Sequence, residues 1–286
     1  MGKLRDQMKA DLSLKGYSPH TQRAYLRCAR EFARHFMRSP GEMGEEELRA
    51  FLLHLVEERK VSAGVHGMYV NALKFLYRIT LKRPEVVENI PYPKRPKTLP
   101  DILSMEEVLA IFEAIDSLKY KAIIATAYGA GLRISEVCSL RITDIDSKRM
   151  LIHIRSGKGN KDRYVVLGEI LLELLRHYYK IVCPKGDYLF PGQKPHRHIT
   201  TTSVGKVMQK VVRKVGLSKR VTMHTMRHCF ATHLLEAGYD LRVIQALLGH
   251  ASIRTTVRYT HMTGRLLGRV CSPLDSIHIP PDSPTN

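Results

Sequence analysis

Six residues carry side chains that could together perform one reaction: Arg133, Lys158, His224, Arg227, His250 and Tyr259. Each sits in a distinct local frame. These are G-L-R-I-S-E around Arg133, G-K-G-N-K-D around Lys158, H-T-M-R-H at 224–228, L-L-G-H ending at His250, and R-Y-T-H around Tyr259. The set suits attack of a tyrosine hydroxyl on a DNA phosphodiester without a metal. A phosphodiester repels nucleophiles, and attack adds charge to its equatorial oxygens, so catalysis is largely electrostatic. Arg133 and Arg227 would supply forked guanidinium donors that stay charged at any working pH. A phenol titrates near pH 10 and needs a base or a strongly cationic pocket to attack at neutral pH. His224 is the candidate base, three residues before Arg227 and so on the same helix face. The leaving 5′-oxygen must receive a proton, and Lys158 at a hairpin tip suits that role. His250 would add a hydrogen bond to the phosphate. A phosphotyrosine conserves the bond energy, so rejoining needs no ATP.

Taken singly, each residue has an ordinary reading. Arg133 could be a surface helix charge, and Lys158 could solvate a turn. Lys161 and Arg163 could do the same, or touch backbone phosphates. His224, His228 and His233 could be polar helix residues, and His250 a helix cap; Tyr259 is one of 13 tyrosines. The i, i+4 spacing of His224 and His228 hints at a metal, but no carboxylate or cysteine completes a ligand set. Order, spacing and frame together outweigh these readings. No cofactor is implied. Gly129-Ala-Gly131-Leu-Arg-Ile134 only begins a dinucleotide fingerprint, with Ile134 in place of its third glycine, and no phosphate-binding loop of the G-x-x-x-x-G-K-[ST] type occurs.

The elements that must position these groups fall in two parts of a 286-residue chain. Residues 1–83 read as helical. Leu4–Lys15 closes at Gly16, and Ser18-Pro19 caps a helix with Tyr25, Ala29, Phe32, Ala33 and Phe36 on one stripe. A third helix carries Leu48, Phe51, Leu52, Leu55 and Val56; a fourth carries Val65, Met68, Tyr69, Ala72, Leu73, Leu76 and Tyr77. Five prolines between Pro84 and Pro100 make 84–102 an extended linker, whose Lys94, Arg95 and Lys97 either track phosphates or are simply solvated. A capping box at Ser104-Met-Glu-Glu107 opens a mixed region over 103–272. There, helices at about 105–116, 119–130, 136–140, 169–180, 201–215, 224–237 and 241–248 surround β-rich 150–155 and 163–167, which flank a Gly/Asn turn. Residues 273–286 are polar with four prolines and read as a disordered tail. The fold class is mainly α with a small β-sheet or hairpin.

The formal charge is +19, divided as +6 over residues 1–85 and +13 over the rest, and the isoelectric point is about 9.8. Both parts are basic, as expected if both face a polyanion. No apolar run approaches the roughly 20 residues of a membrane span, and no secretory signal opens the chain. The cysteines Cys28, Cys138, Cys183, Cys229 and Cys271 are odd in number and include no C-x-x-C pair, which fits thiols in a reducing cytoplasm.

The frames closely resemble the tyrosine recombinase (phage-integrase type) family, and within it the Xer-like site-specific recombinases. The likeness covers nearly the whole chain: L-K-G-Y-S-P-H-T-Q-R-A-Y at 14–25, Y-G-A-G-L-R-I-S-E at 128–136, G-K-G-N-K-D-R at 157–163, H-T-M-R-H-C-F-A-T-H-L-L at 224–235, L-R-V-I-Q-A-L-L-G-H at 241–250 and T-T-V-R-Y-T-H at 255–261. It implies a helical core-binding domain and a mixed α/β catalytic domain that clamp double-stranded DNA, with all six catalytic positions filled. It also implies a dimer on inverted half-sites, a tetramer in the synapse, partnership with itself or a paralogue, and Glu136 as structural support near Arg133. The helical domain begins almost at residue 1, which favours a simple Xer-like or mobile-element recombinase. Only Met262–Val270 could form a terminal helix of the kind that couples protomers in this family. A type IB topoisomerase shares the chemistry, and a DNA-binding regulator without catalysis shares the charge; the small helical domain disfavours the first and the intact catalytic set the second.

A clamp of this charge predicts a steep salt dependence. Each neutralised phosphate contributes roughly −0.9 to the slope of log affinity against log salt, so about six contacts weaken binding roughly 10³-fold between about 50 and 200 mM salt. A titration of duplex binding across that range checks this, and a nearly flat response contradicts it.

Overall fold

The computed structural model describes residues 2–94, 101–155, 162–194 and 196–249. The chain divides into two compact units between residues 98 and 99.

The first unit is built from four helices: α1 (Gly2–Leu14), α2 (Pro19–Phe36), α3 (Glu45–Glu57) and α4 (Ala63–Phe75). Local chemistry explains their starts. Ser18 accepts from the Thr21 N–H with Pro19 at the first helical position, and Ser62 accepts from the Val65 N–H. Glu47 caps the Gly44 N–H in an acidic first turn. Their apolar faces enclose Phe32, which meets Phe51 at 5.3 Å and Tyr77 at 6.3 Å, both edge to face. The Tyr77 hydroxyl is satisfied by the Pro40 carbonyl at 2.9 Å. Val56 and Val65, on the helical stripes by periodicity, are instead exposed at the margins of the unit.

Two features depart from the sequence expectation. α4 runs on into a π-helical turn, Leu76–Thr80, closed by the Leu81 N–H on the Leu76 carbonyl. The extended linker does not begin at Pro84. Pro84–Val87 forms a 3-10 turn whose Val86 and Val87, with Ile90, are buried in the core of the first unit. Proline excludes an α-helix interior there but fits the first position of a short turn.

The second unit contains α5 (Met105–Glu113), α6 (Leu118–Gly129), α7 (Ile134–Cys138), β1 (Ile145–Asp146), β2 (Leu151–Ile154), β3 (Arg163–Val166), α8 (Glu169–Val182), α9 (Thr201–Val215), α10 (Met223–Glu236) and α11 (Leu241–Leu248). The strands make one antiparallel sheet in the order β1-β2-β3, with Leu151 opposite Val166 and Ile154 opposite Arg163. The two β-rich segments pair as expected, the turn between them lies outside the described residues, and the two-residue β1 is an addition to the pair. α6 is the centre of the core: Ala122, Ile123, Ile124, Thr126 and Ala127 are all fully buried, and α8 and α10 pack on it. The start of this unit is tied to α10. Leu103 gives its N–H to the Cys229 sulfur at 3.3 Å and its carbonyl accepts from His233 at 2.9 Å. No helix among the described residues is long and apolar enough to cross a membrane.

A candidate phosphate-binding site

The site is organised around a carboxylate. α7 is a single short turn of helix, and Glu136, three residues after Arg133, reaches back to cap its start. Glu136 Oε2 accepts from the Arg133 N–H at 2.9 Å, and Oε1 accepts from Arg133 Nη1 at 2.8 Å. On its other side Arg163 of β3 makes a fork, Nη1 to Oε1 and Nη2 to Oε2, each at 2.9 Å. Arg227 Nη1 lies 3.7 Å from Oε2. Three guanidiniums thus converge on one buried carboxylate. Burial alone would raise the Glu136 pKa. The hydrogen bonds from Arg163, the Arg133 N–H and the guanidinium charges outweigh it and bring the pKa down to about 2.

Arg227 lies in the interior, 1% exposed. Two backbone carbonyls orient it: Gly131 accepts from Nη1 at 2.7 Å and Leu248 from Nη2. Gly131 must be glycine. Its φ is +62°, and a Cβ there would stand 2.3 Å from the ring of Phe230. Arg227 and Phe230, three apart on α10, therefore seat that helix on the α6–α7 turn together.

His224 stands one turn before Arg227 on α10, beyond the Thr222 cap, which accepts from the Thr225 N–H. Its side chain reaches solvent, with the His228 ring edge-on at 4.4 Å. Surrounding protein and then the charges of Arg227 and Arg133 lower its pKa below the usual imidazole value. It is therefore neutral at pH 7 and able to take a proton.

Arg133, distant in sequence from His224 and Arg227, is brought to the same site as both. Lys158, His250 and Tyr259 lie outside the described residues, but the chain leading to two of them is fixed. β2 and β3, which bracket the segment carrying Lys158, are held at Arg155, whose Nε meets the buried Asp144 at 2.6 Å, and at Arg163 in the Glu136 fork. α11 ends at Gly249, immediately before His250, in a left-handed turn. The sequence predicts a solvated or phosphate-touching Arg163 beside the turn; in the structure it faces inward. The available signal was strand alternation. Arg163 shares the face of Val165, which is buried, and an arginine on a core face needs an acidic partner. Among the described residues no group of three or more His, Cys, Asp or Glu side chains gathers as a metal site.

Residues 101–265 match the Phage integrase family, and residues 4–85 match the Phage integrase, N-terminal SAM-like domain. A putative integrase/recombinase of Sinorhizobium fredii is 42% identical over 285 residues, covering 99% of this chain and 92% of that protein. Tyrosine recombinase XerA of Thermococcus kodakarensis is 35% identical over 262 residues, covering 90% of each chain. Among solved structures, the XerH site-specific recombinase bound to a palindromic difH substrate in a post-cleavage complex aligns with a TM-score of 0.67 at 27% identity, over 85% of this chain and 76% of that one.

The depressed Glu136 pKa fixes a stability prediction. A carboxylate whose folded pKa is about 2 against an ordinary 4.5 stabilises the fold fully above about pH 4.5. That contribution, about 3 kcal/mol, is lost as pH falls towards 2. Thermal unfolding of Glu136→Gln should therefore lie well below wild type at pH 6, with the gap closing as both are titrated from pH 4.5 to 2. A gap independent of pH contradicts the charge-based account.

Proposed function

The chain belongs to the phage integrase family, and from that premise we propose that it is a site-specific DNA recombinase that cleaves and rejoins strands through Tyr259. The observation that carries the reading is the joining of Arg133 and Arg227 through Glu136, with His224 one turn before Arg227 on α10. The three guanidiniums exceed the one carboxylate by two positive charges, which attract a phosphodiester and stabilise the charge that builds up on its oxygens.

In this mechanism the Tyr259 hydroxyl attacks phosphorus and gives its proton to His224. The bond from phosphorus to the 5′-oxygen breaks, and Lys158 protonates that oxygen as it leaves. The products are a 3′-phosphotyrosyl bond and a free 5′-hydroxyl. Attack of a 5′-hydroxyl from a partner strand reverses each transfer and restores the enzyme without ATP or metal. His250 donates to a phosphate oxygen throughout. The substrate is double-stranded DNA with inverted half-sites, bound by a dimer per site and a tetramer in the synapse, formed by this chain alone or with a paralogue. The relatives' recombinase names, and the palindromic substrate held by the XerH structure, support this assignment. We place the reaction in the cytoplasm, and the absence of a membrane-crossing helix among the described residues is compatible with that.

A nicked suicide duplex tests the assignment, because the cut strand diffuses away and traps the covalent intermediate. Wild type should accumulate a protein–DNA adduct and Tyr259→Phe none; an undiminished adduct in the variant refutes the nucleophile. On a duplex with a bridging 5′-phosphorothiolate, whose leaving group needs no proton, Lys158→Ala should recover most of the activity it loses on ordinary DNA. Equal impairment on both substrates would remove Lys158 from the role of acid.

A further inference from the structure

Arg163 lies in none of the six catalytic positions, yet its guanidinium donates three hydrogen bonds to protein acceptors. It opens β3 opposite Ile154, and along this pair of strands Ile152, Ile154 and Val165 are buried. Its side chain is 13% exposed and enters the interior between three elements. Both terminal nitrogens fork onto Glu136, Nε donates to the Leu247 carbonyl at 3.3 Å, and the stem lies flat on Gly249. A Cβ at Gly249, where φ is +60°, would fall 2.9 Å from Arg163 Cδ and Nε. β3, α7 and the final turn of α11 are therefore locked by one side chain.

Arg133 contrasts with it. Among the described residues its guanidinium is held only through Nη1, and its side chain is 24% exposed. A planar fork satisfies a carboxylate on one edge, whereas a single end-on bond leaves the rest of a guanidinium directed elsewhere. Arg163 occupies the edge of Glu136 on which Arg133 would otherwise close. With that edge filled, Arg133 is anchored without being neutralised.

We propose that Arg163 is a positioning residue, which acts through Glu136 and the α11 turn to hold Arg133 and Arg227 in phosphate-binding geometry and does not itself contact phosphate. The inference rests on the recombinase reading above and deepens it.

The test uses the full chain and nicked duplexes rebuilt from sequences that wild type captures covalently out of a random pool. Arg163→Lys keeps the charge and loses the fork. It should bind those duplexes within about twofold of wild type with an unchanged salt slope, while covalent capture slows about 10- to 100-fold. The same slowing should persist on the bridging 5′-phosphorothiolate, since the defect lies in the cationic clamp, and added methylguanidinium should partly restore Arg163→Ala. In Arg163→Ala, which removes the charge, a salt slope reduced by about 0.9 would overturn the proposal in favour of a direct phosphate contact. A defect that vanishes on the phosphorothiolate would overturn it in favour of a role through the Lys158 hairpin, and wild-type capture rates would overturn it outright. Thermal unfolding of Arg163→Lys, Glu136→Gln and the double variant supplies a readout without DNA. The double variant should lose little beyond the larger single loss, and additive losses overturn positioning through Glu136. Failure of wild type to capture any duplex would sink the recombinase reading, and this cycle would still decide the Arg163 claim.

Discussion

Guanidinium groups gathered in a protein interior repel one another, and a negative charge must be set among them before they can share a site. Two like charges about 4 Å apart repel by about 4 kcal/mol even at an effective dielectric constant of about 20. Glu136 resolves this for Arg133, Arg163 and Arg227, each within 2.8 to 3.7 Å of its carboxylate. One carboxylate against three cations lowers the repulsion and leaves two positive charges in surplus. A second acid would have left only one; without an acid the mutual repulsion of the three guanidiniums would be unrelieved.

Much of the second unit depends on that arrangement. The α6–α7 turn exists in a left-handed conformation at Gly131, and its carbonyl orients Arg227. α10 carries Arg227 inward and presses Phe230 onto the same glycine. α11 ends where its carbonyls at Leu247 and Leu248 meet Arg163 and Arg227. β3 starts at the residue that forks onto Glu136. The buried core around α6 fixes these elements against one another, so the charges keep their spacing when a phosphate approaches. Preorganisation of this kind favours the transition state because no dipole or charge has to be rearranged during the reaction.

Much of this was legible in the residues. Capping signals such as Ser18-Pro19 and the Ser104–Glu107 box, and the 3.6-residue apolar stripes of the first unit, announced where helices begin and which faces pack. The frames around Arg133 and Arg227 singled out both arginines, although their meeting at one carboxylate is a tertiary fact that spacing along the chain does not contain. Arg163 was hidden because it adjoins a Lys- and Gly-rich turn, where charge normally means solvent; only the register of β3 turns it inward. The π-turn after α4 was hidden because the Leu76 and Tyr77 pattern continues the helix, and the wider turn is set by packing of buried Leu76, Tyr77 and Thr80. The proline-rich stretch misled at its start, since Val86, Val87 and Ile90 supply enough apolar surface to draw it into the first core.

In the proposed mechanism, fixed protein cations at the phosphate take over the charge neutralisation that divalent metals supply in many phosphoryl-transfer enzymes. That substitution is the central claim, and strand cleavage measured in excess EDTA and again after added magnesium tests it most directly. The account predicts the same rate of covalent tyrosyl–DNA formation in both conditions. Cleavage abolished by EDTA and restored by magnesium would contradict it.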